Sequence, residues 1–334
     1  MVTLADVAKH AGVSASTASR ALNGRGEMFP ETRAAVLEAA DALQFEPSLL
    51  ARSLRTRTTW TVGFVVPDVS SPFYASALKG AQTALEEAGY RVMLMDSRQD
   101  PGGELAALRT LLNHQVDGLL LSTVGINRKQ FRATVERRGT PCVFFDSVVP
   151  RAGEGSVLLD NAAGIEHLVD HPVGHGHRRI ALLTGSLVET SGHERLDAFR
   201  AAMARHGLDV LDAHLRGGRW SSDAGREGTL ELLAADPRVT AIVASSVELA
   251  LGCMFACRER SVRIPDDLAL AAFDDAYFAE LLDPSLTAVA YDPAEVGSAA
   301  TALLVEAMQH GNATRRELKV PVNLVKRESC GCTP

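Results

Sequence analysis

No part of this 334-residue chain is apolar for the ~20 residues a bilayer-spanning helix needs; its longest hydrophobic runs break within about ten residues. The N-terminus has no basic, apolar, small-residue leader, so a cytoplasmic protein without membrane contact is expected. Cysteines are few and odd in number, five in all. Cys253/Cys257 and Cys330/Cys332 lack the second paired cluster of a structural zinc site, so reduced thiols are expected. Aromatic residues make up only 5% of the chain, with two tryptophans. Phosphate loops, nucleophile elbows, H-E-x-x-H pairs and glycine-rich dinucleotide turns are all missing, which leaves no catalytic constellation and no cofactor to expect. A net charge of -7 argues against a chain that coats nucleic acid along its length.

Charge is nevertheless unevenly spread. Residues 1–59 carry seven basic and six acidic groups, a net of +1 that leaves -8 for the rest. Arg52, Arg55 and Arg57 cluster just before position 60, while most of the acids lie between 27 and 46. That is the pattern of a small DNA-reading head on an acidic body. In "LADVAKHAGVSASTASRALNG", Leu4, Val7, Ala8 and Ala11 recur at helical spacing, Gly12 permits a left-handed turn and Ser14 can cap a second helix. The spacing predicts helix, turn, helix, then a third amphipathic helix from about Glu31 to Leu43 and a short helix after Pro47.

These residues resemble the heads of the LacI/GalR family of bacterial transcription repressors, which begin "DVAxxAGVSxSTxSRxLNG" and end "ARSL". The likeness continues through "VGFVVPDVSSPFYA", "VDGLLLS", "GHRRIALLTG", "ERLDAFRAAM", "RIPDDLALAAFDD", "PSLTAV" and "LVKRES", nearly the whole chain. The body also reads without it. Strand-like runs "TVGFVVP", "RVMLM", "GLLLS", "CVFFD", "RIALLTG", "TAIVAS" and "LALAAFD" alternate with helical patterns, which predicts parallel sheets covered by helices. Asp68, Asp96, Thr123, Asp146, Ser186, Ser246 and Asp274 fall just past the strand ends, where open α/β sheets bind ligands. The expected fold class is an N-terminal all-α helix-turn-helix head plus an α/β body of two parallel-sheet subdomains, periplasmic-binding-protein-like. Expected boundaries are 1–46 for the head, 47–59 for hinge and linker, and 60–334 for the body. Within the body, 60–160 with 291–321 and 162–289 with 323–329 form the two subdomains.

The resemblance implies roles residue by residue. Ala15, Ser16 and Arg20 match the family's base-reading positions, and arginine can bond guanine twice. Thr3, Ser14, Thr17, Ser19 and Asn23 are expected to contact phosphates or cap helices. In the hinge, Ala51, Arg52, Leu54 and Arg55 match "ARSL" and the residue after it, with Leu54 as a minor-groove wedge. Phe73, Arg195 and Trp220 match positions that stack on or bond a small effector. Thr123, Asp146, Asp160, Ser246 and Asp274 are further candidates, though strand-end carboxylates also cap helices.

Some positions depart from the family. "ASSVELALG" stands where members read "AANDLMALG", so Ser246 and Val247 replace an amide and a sugar-binding aspartate unless a one-residue shift brings Glu248 inward. Ser147 and Ser71 replace a common arginine and asparagine. An ordinary hexose is therefore expected to bind poorly. His171, His175 and His177 in "HPVGHGH" could hold a metal, but no neighbouring cysteine or carboxylate completes the set, so none is expected. The resulting expectation is a homodimeric repressor, since no heptad tail follows "LVKRESCGCTP". It would bind a pseudo-palindromic double-stranded DNA operator and be controlled by a small-molecule effector, a sugar or related metabolite. The alternatives are a solute-binding protein of the same body fold and a repressor without effector.

Overall fold

The protein is described by a computed structural model covering residues 2–22, 28–45, 58–235, 238–310 and 315–332. Its chain divides into two compact units between Thr59 and Trp60. Asn23 and the hinge residues Ala51, Arg52, Leu54 and Arg55 lie outside the described residues.

In the first unit, α1 (Leu4–His10) starts at a reciprocal cap: Thr3 Oγ1 accepts from the Asp6 amide, and the Asp6 carboxylate accepts from the Thr3 amide at 2.8 Å. Gly12, at φ +66°, turns the chain in the left-handed region that a side chain would resist. Ser14 then caps α2 (Ala15–Leu22), its Oγ accepting from the Thr17 amide at 3.1 Å. The third helix, α3 (Pro30–Ala42), begins one residue before the predicted start, because Pro30 suits the first helical position, which needs no N–H donor. Val7, Ala8, Ala18, Ala21, Val36 and Ala39 are buried between the three helices. Alanine at most of these positions lets the backbones approach closely.

The second unit opens with β1 (Thr61–Val66), α4 (Pro72–Glu87), β2 (Arg91–Asp96), α5 (Pro101–Asn113), β3 (Gly118–Leu121), α6 (Arg128–Thr134), β4 (Cys142–Phe145) and β5 (Gly155–Leu159). It continues through α7 (Asn161–Gly174), β6 (Ile180–Thr184), α8 (Thr190–Arg205), β7 (Leu215–Gly217), α9 (Ser222–Ala234), β8 (Ala241–Ala244), α10 (Val247–Glu259), β9 (Ala269–Phe273) and β10 (Thr287–Ala290). Helix α11 (Pro293–His310) and strands β11 (Arg316–Val320) and β12 (Asn323–Val325) complete it.

Among the described residues two six-stranded sheets result, ordered β11-β5-β4-β3-β1-β2 and β12-β10-β9-β8-β6-β7, and every pairing of these strands is parallel except β10 with β12. The chain passes between them after β5, after β10 and between β11 and β12. Strands buried on both faces, such as "GLLL" and "CVFF", have no polar alternation, as parallel sheets under helices require. Five strands beyond the seven predicted are present: β5, β7, β10, β11 and β12. Among the described residues no helix is long and apolar enough to cross a membrane.

Candidate functional site

On α2 the exposed side chains are Ala15, Ser16 and Arg20, while Ala18 and Ala21 face the head's core. Arg20 extends along its own helix, with Nε near the Ser16 carbonyl at 3.4 Å. Ser14 Oγ also bonds the Ser16 and Thr17 hydroxyls, each at 2.8 Å, so this turn gathers three hydroxyls at the start of α2. Thr17 and Ser19 are half-buried at the helix flank. The second helix therefore offers one long cation and several short polar groups on its outer side, a surface suited to a DNA groove.

The body's candidate site lies where the C-terminal ends of the two sheets face each other. Phe73, Asp146, Arg195, Trp220, Ser246 and Asp274 line one cavity there. Asp146 and Asp274 each follow a phenylalanine at a strand end, and each sits in the left-handed region at φ +61° and +74°. Each also accepts from a tyrosine: Tyr74 to Asp146 at 2.8 Å, Tyr291 to Asp274 at 2.5 Å. The two sheets thus supply matching tyrosine–aspartate pairs, and strained backbone of this kind marks a built site.

Between them α8 delivers Arg195, only 3% exposed. Its Nε donates to Asn161 Oδ1 at 2.8 Å and another nitrogen donates to the Ser245 carbonyl. The guanidinium carbon lies 3.7 Å above the Phe273 ring and 5.7 Å from that of Trp220. Trp220 itself is fixed by its Nε1 donating to Glu189 Oε2 at 3.0 Å. Its ring packs flat on Gly185, where a Cβ would come within 2.1 Å of it, so only glycine fits that position.

Two candidates fall elsewhere. Thr123 is buried against Glu104, to which its hydroxyl donates at 2.6 Å, and Asp160 caps α7 by accepting from the Ala163 amide at 3.1 Å. Both sit at strand ends, but their side chains turn into helix and loop contacts. The expected loss of a carboxylate at Val247 is corrected by the fold. Val247 is buried in the core of the second sheet's helices, and Glu248, at the start of α10, turns into the cavity and accepts from Ser71 Oγ at 2.9 Å. With an acceptor restored, the departure at Val247 no longer argues against a hexose, while those at Ser71, Ser147 and Ser246 stand. Tyr74, Gln99, Ser191 and Tyr291 also line the cavity, although sequence pattern did not single them out.

The histidine triplet needs correction too. His177 points away, its Nδ1 3.0 Å from Thr240 Oγ1. His171 and His175 instead meet Cys332, with Sγ–Nε2 distances of 3.4 and 3.5 Å, so a cysteine does approach, from more than 150 positions along the chain.

The cavity's electrostatics are lopsided. Burial pushes the carboxyls of Asp146, Asp274 and Glu248 up; Arg195 draws the two aspartates partly back down. Glu189, behind Trp220, is pushed up to about 8 by burial and by the nearby Asp146 charge. Because its folded pKa exceeds the unfolded value of 4.5, Glu189 stabilises the fold below pH 4.5, and that contribution is lost as pH rises through about 8. Glu189→Gln, which keeps an acceptor for Trp220, is therefore expected to gain roughly 2–4 kcal/mol over the parent at pH 9 and nothing at pH 4.5. Urea unfolding at the two pH values measures this, and parallel curves for the two proteins would remove Glu189 as the cause.

Comparison with known proteins agrees with both units. Residues 3–48 match the family model described as bacterial regulatory proteins, lacI family, and residues 169–330 match the periplasmic binding protein-like domain. Catabolite control protein A of Priestia megaterium is 30% identical across 98% of this chain and 99% of its own. The ribose operon repressor of Escherichia coli (strain K12) is 31% identical across 98% and 100%. The chain belongs to the LacI family. A lac repressor dimer bound to operator and an anti-inducer superposes with a TM-score of 0.88 at 26% identity, covering 98% of this chain and 99% of that one. A complex of the regulator CelR with cellobiose gives 0.75 at 30% identity, covering 98% and 100%. This LacI-family protein is accordingly a DNA-binding transcriptional repressor, not an enzyme.

Proposed function

We propose that this LacI-family repressor holds a pseudo-palindromic operator as a homodimer, and that a hydroxyl-rich small molecule in the cleft sets its affinity. The observation that carries the ligand half is the cavity's composition: one guanidinium, five acidic side chains within or against the wall, and aromatic rings beside them. Carboxylates accept from sugar hydroxyls and aromatic faces cover sugar rings, whereas a ligand carboxylate would meet an excess of negative charge. The effector is thus a neutral or cationic polyol, a sugar or amino sugar rather than a sugar acid.

Free space within the lining is only about 50 Å³, far below the roughly 300–1,000 Å³ of small-molecule sites. Direct contacts hold the halves together: Ser71 to Glu248, Gln99 Nε2 to the Trp220 carbonyl at 3.2 Å, and the Thr190 amide to Ser147 Oγ at 3.1 Å. Ligand entry therefore requires these contacts to break. Because the chain crosses three times between the halves, their angle changes by a hinge, and the ligand selects the angle it fits. Calorimetry with paired sugars tests the class: a sugar acid binding more tightly than its neutral parent would refute it.

For DNA, α2 is assigned to the major groove, with Arg20 reading a base and with Ala15 and Ser16 beside it. The hinge residues Ala51, Arg52, Leu54 and Arg55 are assigned to the operator centre, Leu54 as the wedge. Arg20→Ala should relax preference at one position per half-site, worth ~1–3 kcal/mol, and leave the rest of the site's preferences intact. Selected-site sequencing that returned the parental motif would rule out Arg20 as a reader. The dimer rests on apolar groups left in water: Phe255, Tyr277 and Leu281 are 57%, 84% and 77% exposed. Phe255 and Leu281 share a groove with Leu251, Met254 and Pro284. A second copy of this chain is the proposed cover.

A further inference from the structure

We propose that His171, His175 and Cys332, with Cys330 as fourth donor, form a binding site for a borderline-soft transition metal ion such as Zn²⁺. The two histidines stand one turn apart at the C-terminal end of α7, and both present Nε2 to the same sulfur. All three donor atoms lie within 4.8 Å of one another. Tetrahedral zinc with Zn–S of about 2.3 Å and Zn–N of about 2.0–2.1 Å separates its ligand atoms by somewhat less than 4 Å. The two sulfur–nitrogen distances are already within that spacing, and the trio as a whole would draw in only slightly around an ion. Cys330 Sγ lies 3.0 Å from His171 Nε2 and completes two nitrogens and two sulfurs, the donor set of closed zinc sites.

The arrangement is held in place before any metal arrives. Ser329, between the histidine-facing cysteines and the sheet, donates to the Leu270 carbonyl at 2.7 Å and accepts from the Thr287 amide at 2.9 Å. Cys330 is further fixed by Thr287 Oγ1 at 2.9 Å. His175 is exposed and Cys332 half-buried, which leaves an entry path. The end of a helix carries negative potential, which favours a cation there. Binding exchanges two thiol protons, released to solvent, for one dication held by two thiolates and two neutral imidazoles; no oxidation state changes and the site is charge-balanced.

The site joins the chain's last described residues to α7, whose first turn carries Asn161, the partner of Arg195 in the cleft. Since the donors are separated by more than 150 residues, they converge only in the folded body, and bound metal stabilises that fold. The experiment uses untagged full-length protein, reduced with a thiol-free phosphine. Titrated Co²⁺ should bind at one equivalent with a thiolate-to-cobalt charge-transfer band, be displaced by Zn²⁺, and raise the melting temperature. Cys332→Ser and His175→Ala should each lose the band or its intensity and weaken binding by more than about a hundredfold, while His177→Ala should change nothing. Cobalt binding without the thiolate band, or undiminished in both variants, overturns the proposal. So does dependence on His177. Should Cys332→Ser fold poorly, His175→Ala, at an exposed position, decides alone.

Discussion

Arg195→Ala is expected to lower the stability of the body by roughly 3–5 kcal/mol at neutral pH, because it removes the single cation among buried carboxylates. Its guanidinium now faces Asp146 and Asp274 and bonds Asn161 and the Ser245 carbonyl. Without it, burial is opposed only by the hydrogen bonds to each aspartate, chiefly from Tyr74 and Tyr291, and their folded pKa values climb further above the unfolded one. A group raised in this way stabilises the fold below its unfolded pKa, and the contribution is lost as pH rises through the folded value. The variant should therefore recover much of its deficit on acidification below neutral pH, as the aspartates take up protons, while the parent changes less. Asp146→Asn or Asp274→Asn in the Arg195→Ala background should restore stability at pH 7, since each removes one uncompensated charge. Effector binding should be absent in all three. Denaturant unfolding across pH tests the scheme; a deficit below about 1 kcal/mol, unaltered by pH, would mean that Arg195 compensates nothing.

The same electrostatics explain which parts of the site could be read in the sequence. Asp146, Ser246 and Asp274 were legible because a polar residue directly after an apolar run marks the ligand-binding edge of a parallel sheet. Thr123 and Asp160 satisfy that rule equally well, and only side-chain direction separates them: one turns to Glu104, the other to the first turn of α7. Glu248 was ambiguous because a one-residue change of helical phase decides whether Val247 or its neighbour faces the cleft. The apolar side chain's burial with Leu249 and Cys253 settles the phase. Tyr74 lies inside a helix and Tyr291 directly after β10, a strand the pattern did not reveal, so no periodic signal distinguished a ligand wall from a core there.

Among the strands, most of those buried on both faces were visible as unbroken apolar runs; the buried β5 and β10, "GSVLL" and "TAVA", were not, because small and hydroxyl residues dilute their apolar signal. Strand β11, "RELKV", is an exposed edge with alternating charge, and β7 and β12 are three residues long. Edges of this kind carry little hydrophobic signal, and charge on them discourages pairing with other chains. The approach of Cys332 to His171 was invisible for a different reason: no local pattern encodes a contact between a helix end and a segment 161 positions later.

Leu281→Lys is expected to convert the dimer to a monomer and to weaken operator binding by about 10²–10⁴-fold, the range that linking two half-site heads contributes. Leu281 is 77% exposed in the single chain, so a charge there leaves the fold intact, whereas in the proposed interface it would be buried beside the groove that holds Phe255. Burying an unpaired ammonium across a two-fold axis, where each copy meets its equivalent, is costly enough to separate the subunits. A monomer presents one head, makes half the phosphate contacts, and should show about half the parental slope of log affinity against log salt. Binding to a single half-site should be unchanged, because α2 and Arg20 are untouched. Sedimentation velocity and salt titration of both proteins separate the outcomes. A variant that sediments as a dimer places the interface elsewhere, and a monomer with parental operator affinity would show that one head suffices.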